Sequence, residues 1–380
     1  MKIYDYIICG GGAAGLQLAY AMATDSFFDD KQILIIEKHQ KNTNDRTWCF
    51  WEKESNVLEE IVTKKWKQIL FKDPSETLEL PLTPYIYKMI LSEDFYRLIH
   101  NTISTKSNIE FVLDTVFNID ETSSPVIVTT EKTSYASQKV FSSIFDLSEL
   151  KNIQKPVLQQ HFIGWFVETK EPVFNENTAT FMDFSIPQKG NTRFMYVLPT
   201  SKTKALIEYT LFSEKLLPEI EYENAIKSYL DELGITSYHI CEKEKGSIPM
   251  TAHNFYTKNT ENVLNIGTAG GFTKASTGYT FKSSQRKIST IIQNLKEGKT
   301  NFSTYFKPDR FLWYDAILLE VLAKENEKGQ TVFSEMFRKN DIEKILKFLD
   351  EKTTRPEELK IINSLPKMPF IKAFFRNLTT

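Results

Sequence analysis

Six residues near the N-terminus, Gly10-Gly11-Gly12-Ala13-Ala14-Gly15, carry the spacing of a dinucleotide-binding turn. In such a turn Gly10 permits the tight reversal, Gly12 lets the backbone approach a pyrophosphate, and Gly15 lets the next helix pack closely on the preceding strand. The N-terminus of the helix that follows then receives the phosphate charge, with Ala13 among the residues expected to bind the cofactor. Glu37 stands 22 positions beyond Gly15, where the motif places a carboxylate for a ribose. A different kind of acid is Glu208, which interrupts the apolar and aromatic run Ala205-Leu206-Ile207-Glu208-Tyr209-Thr210. Facing solvent it would be unremarkable. Buried, the same carboxyl would resist ionisation and could act as a general acid near neutrality.

Arg46, in Asp45-Arg46-Thr47-Trp48-Cys49-Phe50-Trp51, has two readings. The segment is a surface loop pinned by tryptophans, or the guanidinium reaches a nucleotide phosphate or ribose. Later, the strand-like Asn262–Ile266 runs into Gly267-Thr268-Ala269-Gly270-Gly271. Such a turn can bring a second set of backbone amides, from Gly267, Gly270 and Gly271, to the same ligand; glycine as ordinary loop material is the alternative.

The elements that must position these residues can be read coarsely. Tyr4–Cys9 reads as a buried strand, Leu16–Met22 as a helix, and Gln32–Glu37 as a second strand, so the glycines fall at a strand-to-helix turn. The position of this unit at the start of the chain, with no second glycine fingerprint after it, favours FAD over NAD(P). Residues 108–146 hold short β-rich runs split by polar turns, as in a sheet or hairpin region, and alternating strands continue from 161 to 212. A largely antiparallel sheet is therefore expected in the middle of the chain. Helices are expected over 221–233, ending at Gly234, over 280–295, and through most of the segment after 301.

Composition narrows the function classes. Lys+Arg 47 against Asp+Glu 49 gives a formal charge of −2, which offers no basic field for nucleic acid. Cys9, Cys49 and Cys241 have neither zinc-site nor disulfide spacing, so no metal is expected and a reducing, cytoplasmic setting is. No signal peptide is expected before the first strand, and no apolar run approaches the roughly 20 residues of a spanning helix. Aromatic residues reach 13%, which fits either ordinary core packing or a dedicated aromatic cavity.

Several blocks, in order, resemble the flavoprotein lycopene cyclases of carotenoid-making bacteria. They are Gly10–Gly15, Asp45–Trp48, Gln160–Trp165, Phe181–Phe184, Tyr196–Pro199, Leu206–Thr210, Gly246–Met250 and Gly267–Phe281, spanning roughly residues 3 to 290. The resemblance implies an α/β fold: a Rossmann-like FAD-binding domain, similar to that of aromatic hydroxylases and geranylgeranyl reductases, interleaved with a mainly antiparallel β-sheet substrate domain and followed by a helical C-terminal part. The expected division is 1–80 for the first FAD-binding part and 81–245 for mixed FAD-binding and substrate sheet. Residues 246–300 would be the FAD-binding return and 301–380 the helical region.

The resemblance also implies acid-catalysed cyclisation of the ψ ends of lycopene and related carotenoids to β-ionone rings, giving γ- and β-carotene. That reaction has no net redox change yet needs reduced FAD, with NAD(P)H as reductant. Glu208 matches the family's Ile-Glu-x-Thr type motif, which makes it the expected general acid. Relatives often carry a second acid where this chain has Tyr209, so the proton acceptor is left open; Asp183 is the candidate, and a structural turn acid is the alternative reading. Because lycopene partitions into lipid, Leu365–Arg376, which mixes Phe and Ile with cations and no acid, is read as a membrane-surface contact or else as an amphipathic core helix. The expected location is cytoplasmic, peripheral on the inner face of the cell membrane. Rival readings are a flavin-dependent reductase or monooxygenase acting on an isoprenoid, and a non-catalytic carotenoid-binding flavoprotein.

Overall fold

The apolar runs Ile3–Cys9 and Ile33–Glu37 pair in parallel, with Ile7 beside Leu34, in a computed structural model that describes residues 2–122, 124–151 and 153–378. Ile109–Leu113 extends this sheet on one side, and Ser134–Ser142 and Val263–Asn265 extend it on the other, all in parallel. The strands Val126–Thr130 and Val116–Asp120 complete it in antiparallel fashion. Ile33–Glu37 is buried at every position, as parallel strands covered on both faces are. Helices Ala13–Ala23, Ser92–Ser104 and Phe281–Lys296 cover one face through Leu16, Phe95 and Ile288. Each such buried side chain contributes on the order of 1.5–3 kcal/mol. The β-rich stretch 108–146 thus belongs to the dinucleotide sheet, and its first strand is parallel rather than part of a hairpin.

A second sheet of seven strands follows the order His239–Met250, Leu158–Glu168, Lys204–Ser213, Thr192–Pro199, Thr178–Asp183, Gln68–Lys72, Thr77–Pro81. All neighbours are antiparallel except Thr178–Asp183 with Gln68–Lys72. The expected boundary at residue 80 therefore does not follow the sheets, because 68–81 forms the far edge of the second one. Strand alternation sorts this sheet's residues onto two faces. Ile207, Tyr209 and Leu211 pack against helix Glu219–Glu232, while Leu206 and Phe212 belong to the largest core on the other side. Both faces are covered, so the strand carries apolar residues on both, interrupted by Glu208 and Thr210.

After residue 309, among the described residues, follow the five α-helices Arg310–Lys324, Gly329–Lys339, Ile342–Leu349, Arg355–Ser364 and Lys367–Leu378. The first four place Leu319, Phe333, Ile345 and Ile361 in that largest core. Phe337 stacks on Phe71 with ring centroids 4.4 Å apart, and Phe333 stacks on Phe184 at 5.8 Å. Among the described residues no helix is long and apolar enough to cross a membrane.

Candidate active site

A cavity of about 670 Å³ lies between the two sheets and is lined from one end by Gly12, Ala13 and Ala14 and from the other by Glu208 and Glu244. At the glycine end the backbone explains the residue types. A Cβ on Gly15 would stand 1.9 Å from the Gly10 carbonyl oxygen, so only glycine lets helix and turn approach. Gly10 has φ +105°, a left-handed conformation that side chains disfavour. Around Gly12 a Cβ would meet nothing within 4 Å, so the empty space there belongs to the cavity. The helix beginning at Ala13 has no side-chain cap and no acid in its first turn. Its N-terminal end therefore presents backbone amides and the positive end of the helix dipole to the cavity.

Of the residues expected to bind a cofactor, Gly12, Ala13, Arg46 and Gly267 line the cavity. Gly10 and Gly15 shape the turn from behind. Glu37 is buried outside the lining, where its carboxylate accepts hydrogen bonds from the amides of Gly11 (2.5 Å) and His39 (3.1 Å). Gly270 and Gly271 also fall outside it, contrary to expectation. A Cβ on Gly270 would collide with the Asn265 carbonyl at 2.1 Å, and Gly271, at φ +64°, ends the turn against Phe255. These two glycines fold the turn, and Gly267 and Thr268 are its members that reach the cavity.

The residues fit a bound FAD. Besides the uncapped helix end, Gln160 Oε1 and Thr277 Oγ1 line the cavity and, among the described residues, are buried without a hydrogen-bond partner. Buried polar atoms normally have one, and a polar ligand would supply it. Arg46 is held by Asp45 at 3.2 Å, and Asp45 is fixed in turn by the Tyr96 hydroxyl at 2.8 Å. Opposite charges and that hydroxyl keep the Asp45 carboxyl below its ordinary range although burial opposes them.

At the far end Glu208 projects into the cavity from the same side of its strand as Leu206. Tyr196 is its partner on one neighbouring strand and Gly164 on the other. Glu208 accepts a hydrogen bond from Thr210 Oγ1. Burial, and then the charge of Glu244, push its carboxyl well above the ordinary glutamate range, the Thr210 bond opposing them. Tyr87, Tyr196, Tyr279, Cys49 and Phe162 surround this end, and Trp48 stacks on Phe281 at 5.0 Å beside it. The chain's aromatic richness thus serves both the core and the cavity.

Asp183 is elsewhere. A register shift between Thr180 and Asp183 leaves it on the face of helix Glu219–Glu232, opposite Glu208. There it accepts hydrogen bonds from the Tyr229 hydroxyl (2.8 Å) and the Ser185 amide (2.9 Å), with the Lys72 ammonium at 3.4 Å. That is the setting of a structural acid. Two other carboxyls line the cavity with Glu208, Asp45 beside Arg46 and Glu244, and Glu244 was not singled out from the sequence. Its only signal there is alternation in Glu242-Lys243-Glu244-Lys245, which places Glu242 and Glu244 on one face.

The family model described as "Lycopene cyclase protein" matches residues 5–374. A lycopene beta-cyclase from Paracoccus sp. is 30% identical over 125 residues, which is 32% of this chain and 32% of that protein. The chain is thus matched to about a third of that relative's length. Among solved structures, a flavoprotein/dehydrogenase from Cytophaga hutchinsonii superposes with a TM-score of 0.65 at 11% identity, covering 100% of both chains. A geranylgeranyl bacteriochlorophyll reductase-like protein from Thermoplasma acidophilum gives 0.62 at 12%, covering 98% of each. A single-substitution mutant of the halogenase PltM, solved in complex with FAD, gives 0.60 at 10%, covering 97% of this chain and 87% of its own. The fold is therefore that of the FAD-dependent halogenases and geranylgeranyl reductases.

Proposed function

Because the chain belongs to the lycopene cyclase family, we propose that it closes the ψ ends of lycopene into β-ionone rings by acid catalysis, giving γ- and β-carotene. One observation carries this reading: a single cavity joins a dinucleotide-type glycine turn to a buried, proton-holding carboxyl, Glu208. Gly12, Ala13 and Ala14 at the helix end, with Arg46, Gly267 and Thr268, would hold the FAD. When bound and reduced, with NAD(P)H as the reductant, FAD supplies negative charge that favours a nearby carbocation.

The chain's own residues do the rest. Glu208 gives its proton to the terminal alkene, an internal double bond attacks the resulting tertiary cation, and a different proton leaves. The π faces of Tyr87, Tyr196 and Tyr279 stabilise the positive charge, an attraction that strengthens where water is excluded. Anaerobic incubation of the flavin-loaded, reduced protein with lycopene in vesicles tests the reading. The expected product has unchanged mass and the chromatographic behaviour of γ- and β-carotene. A product that gains hydrogen or oxygen would identify a reductase or monooxygenase, and bound but unchanged lycopene a carotenoid carrier.

We further propose that the protein collects its substrate from the surface of the cytoplasmic leaflet through helix Lys367–Leu378. This helix is held by Ala373, which is buried, and turns Met368, Ile371 and Phe375 outward at 62%, 47% and 63% exposure. Lys367 and Lys372 flank them, and Phe374 continues the apolar surface to the exposed Trp313 at 5.4 Å. Apolar insertion beside cations suits an anionic bilayer surface. Replacing Met368, Ile371 and Phe375 together by Ser is expected to lower co-sedimentation with anionic vesicles about tenfold or more, at unchanged melting temperature. Equal co-sedimentation would remove this helix as the contact.

A further inference from the structure

We propose that Glu244 is the base to the Glu208 acid: it takes the proton released when the ring forms and returns it to Glu208 over the bare backbone of Gly164. The inference rests on the cyclase reading above and adds a residue to it.

The geometry is a matter of register. Leu158–Glu168 is the strand between the two glutamates, and Gly164 is the cross-strand partner of Glu208 on one side and of Glu244 on the other. The outer strands are two spacings apart, about 10 Å, and both side chains line the same cavity. What would normally stand between them is the side chain at position 164. A Cβ there would come within 3.2 Å of Glu244 Cγ and 2.8 Å of Leu206 Cδ1. Glycine thus leaves a notch into which Glu244 leans.

The two carboxyls are supported differently. Glu208 is helped by Thr210 on its own strand and faces Tyr196, Tyr279, Cys49 and Glu244. Glu244 accepts a hydrogen bond from Thr47 Oγ1 at 2.8 Å and faces the Arg46 guanidinium, Glu242 and Cys49. Glu242 is itself engaged by Asn44 Nδ2 at 3.1 Å, and Lys243 and Lys245 turn to the other face, where they pair with Glu223 and Glu219. Burial raises both carboxyls, but Thr47 and Arg46 favour the charged form of Glu244. The pair titrates as a unit, and the resting state proposed for it holds one proton, carried by Glu208 for the forward step.

The step balances. The Glu208 O–H bond breaks as a C–H bond forms on the alkene, and π electrons of the internal alkene make the ring bond. A ring C–H bond then breaks, its electrons forming the ring double bond and its proton an O–H bond on Glu244. Passage of that proton from Glu244 to Glu208 restores the resting pair, with no electron gained or lost.

The test uses full-length, flavin-loaded protein, reduced and kept anaerobic, with lycopene in phosphatidylcholine vesicles. Glu244→Gln should lower kcat about 100-fold or more, leave KM within about twofold, and move the alkaline limb of the kcat profile to lower pH, because Glu208 loses its negative neighbour. Thr47→Val should move the acid limb to higher pH, because ionised Glu244 loses its donor. Gly164→Ala, whose methyl meets side-chain atoms of Leu206 and Glu244 and no backbone, should lower kcat and reduce the separation of the limbs. Turnover by Glu244→Gln within about threefold of wild type, or a loss of kcat with both limbs unmoved, would overturn the assignment and leave the cyclase reading standing. The carboxyl C=O infrared band, titrated without substrate, separates the two ideas. A midpoint for Glu208 that falls in Glu244→Gln supports the pair even in a protein that does not cyclise lycopene, and an unmoved midpoint refutes it.

Discussion

Glu208→Gln is expected to end ring closure, lowering kcat by about 10³-fold or more, while the protein keeps its fold and its flavin. The expectation follows from what the amide removes. A positioned general acid contributes about 10²–10⁴-fold, and in an apolar cavity water cannot replace it without also trapping the cation. Gln keeps the size of the side chain and can still meet the Thr210 hydroxyl. Product chromatography and flavin absorbance measured on one sample check this, and retained cyclisation would remove Glu208 as the acid.

The same variant has a stability signature with a definite sign. Burial and the Glu244 charge raise the Glu208 carboxyl in the folded protein above its unfolded value. The folded state therefore binds this proton more tightly, and the stability it contributes is present at low pH and lost as pH rises through the folded value. Gln does not titrate. Its melting temperature should gain on wild type between about pH 5 and pH 9, as scanning calorimetry would read. A difference that stays constant with pH, or that moves against the variant as pH rises, would mean that Glu208 is not held protonated.

Two glycine substitutions should separate flavin binding from folding. Gly12→Ala places a methyl where no protein atom lies within 4 Å, on a backbone at φ −80° that alanine adopts readily. The apoprotein should melt within a degree or two of wild type. FAD should bind about 100-fold more weakly, since a methyl forced into a packed contact costs roughly 1–3 kcal/mol. Gly15→Ala meets the Gly10 carbonyl at 1.9 Å, a backbone atom that cannot step aside. It should cost the fold about 3 kcal/mol and take the flavin with it. Fluorescence titration of FAD and thermal melts of both variants decide the matter. Equal flavin affinity in Gly12→Ala would place the pyrophosphate elsewhere.

The dinucleotide unit was legible because its logic is local. Strand, glycine turn and helix are neighbours in sequence, and the positive φ of Gly10 and the close approach of Gly15 to the Gly10 carbonyl both arise within that turn. The later turn was read less well: Gly267 reaches the cavity, whereas Gly270 and Gly271 serve the turn's own backbone, a distinction that depends on which way each amide faces. Asp183 shows the limit of local reading most directly. One register shift inside Thr178–Asp183 sends it to the opposite face from Glu208.

Taken by itself, the sequence determined the glycine turn, the strands that hold it, and an acid in an apolar strand. Which acid partners Glu208 was decided only by tertiary structure, because Glu208 and Glu244 are separated by a helix and meet across Gly164, a residue from a third strand. Side-chain alternation tells which residues of one strand share a face, but it does not tell which strands lie side by side. That order also buried both faces of the Glu208 strand, and so turned an acid that could have been solvated into one that keeps its proton.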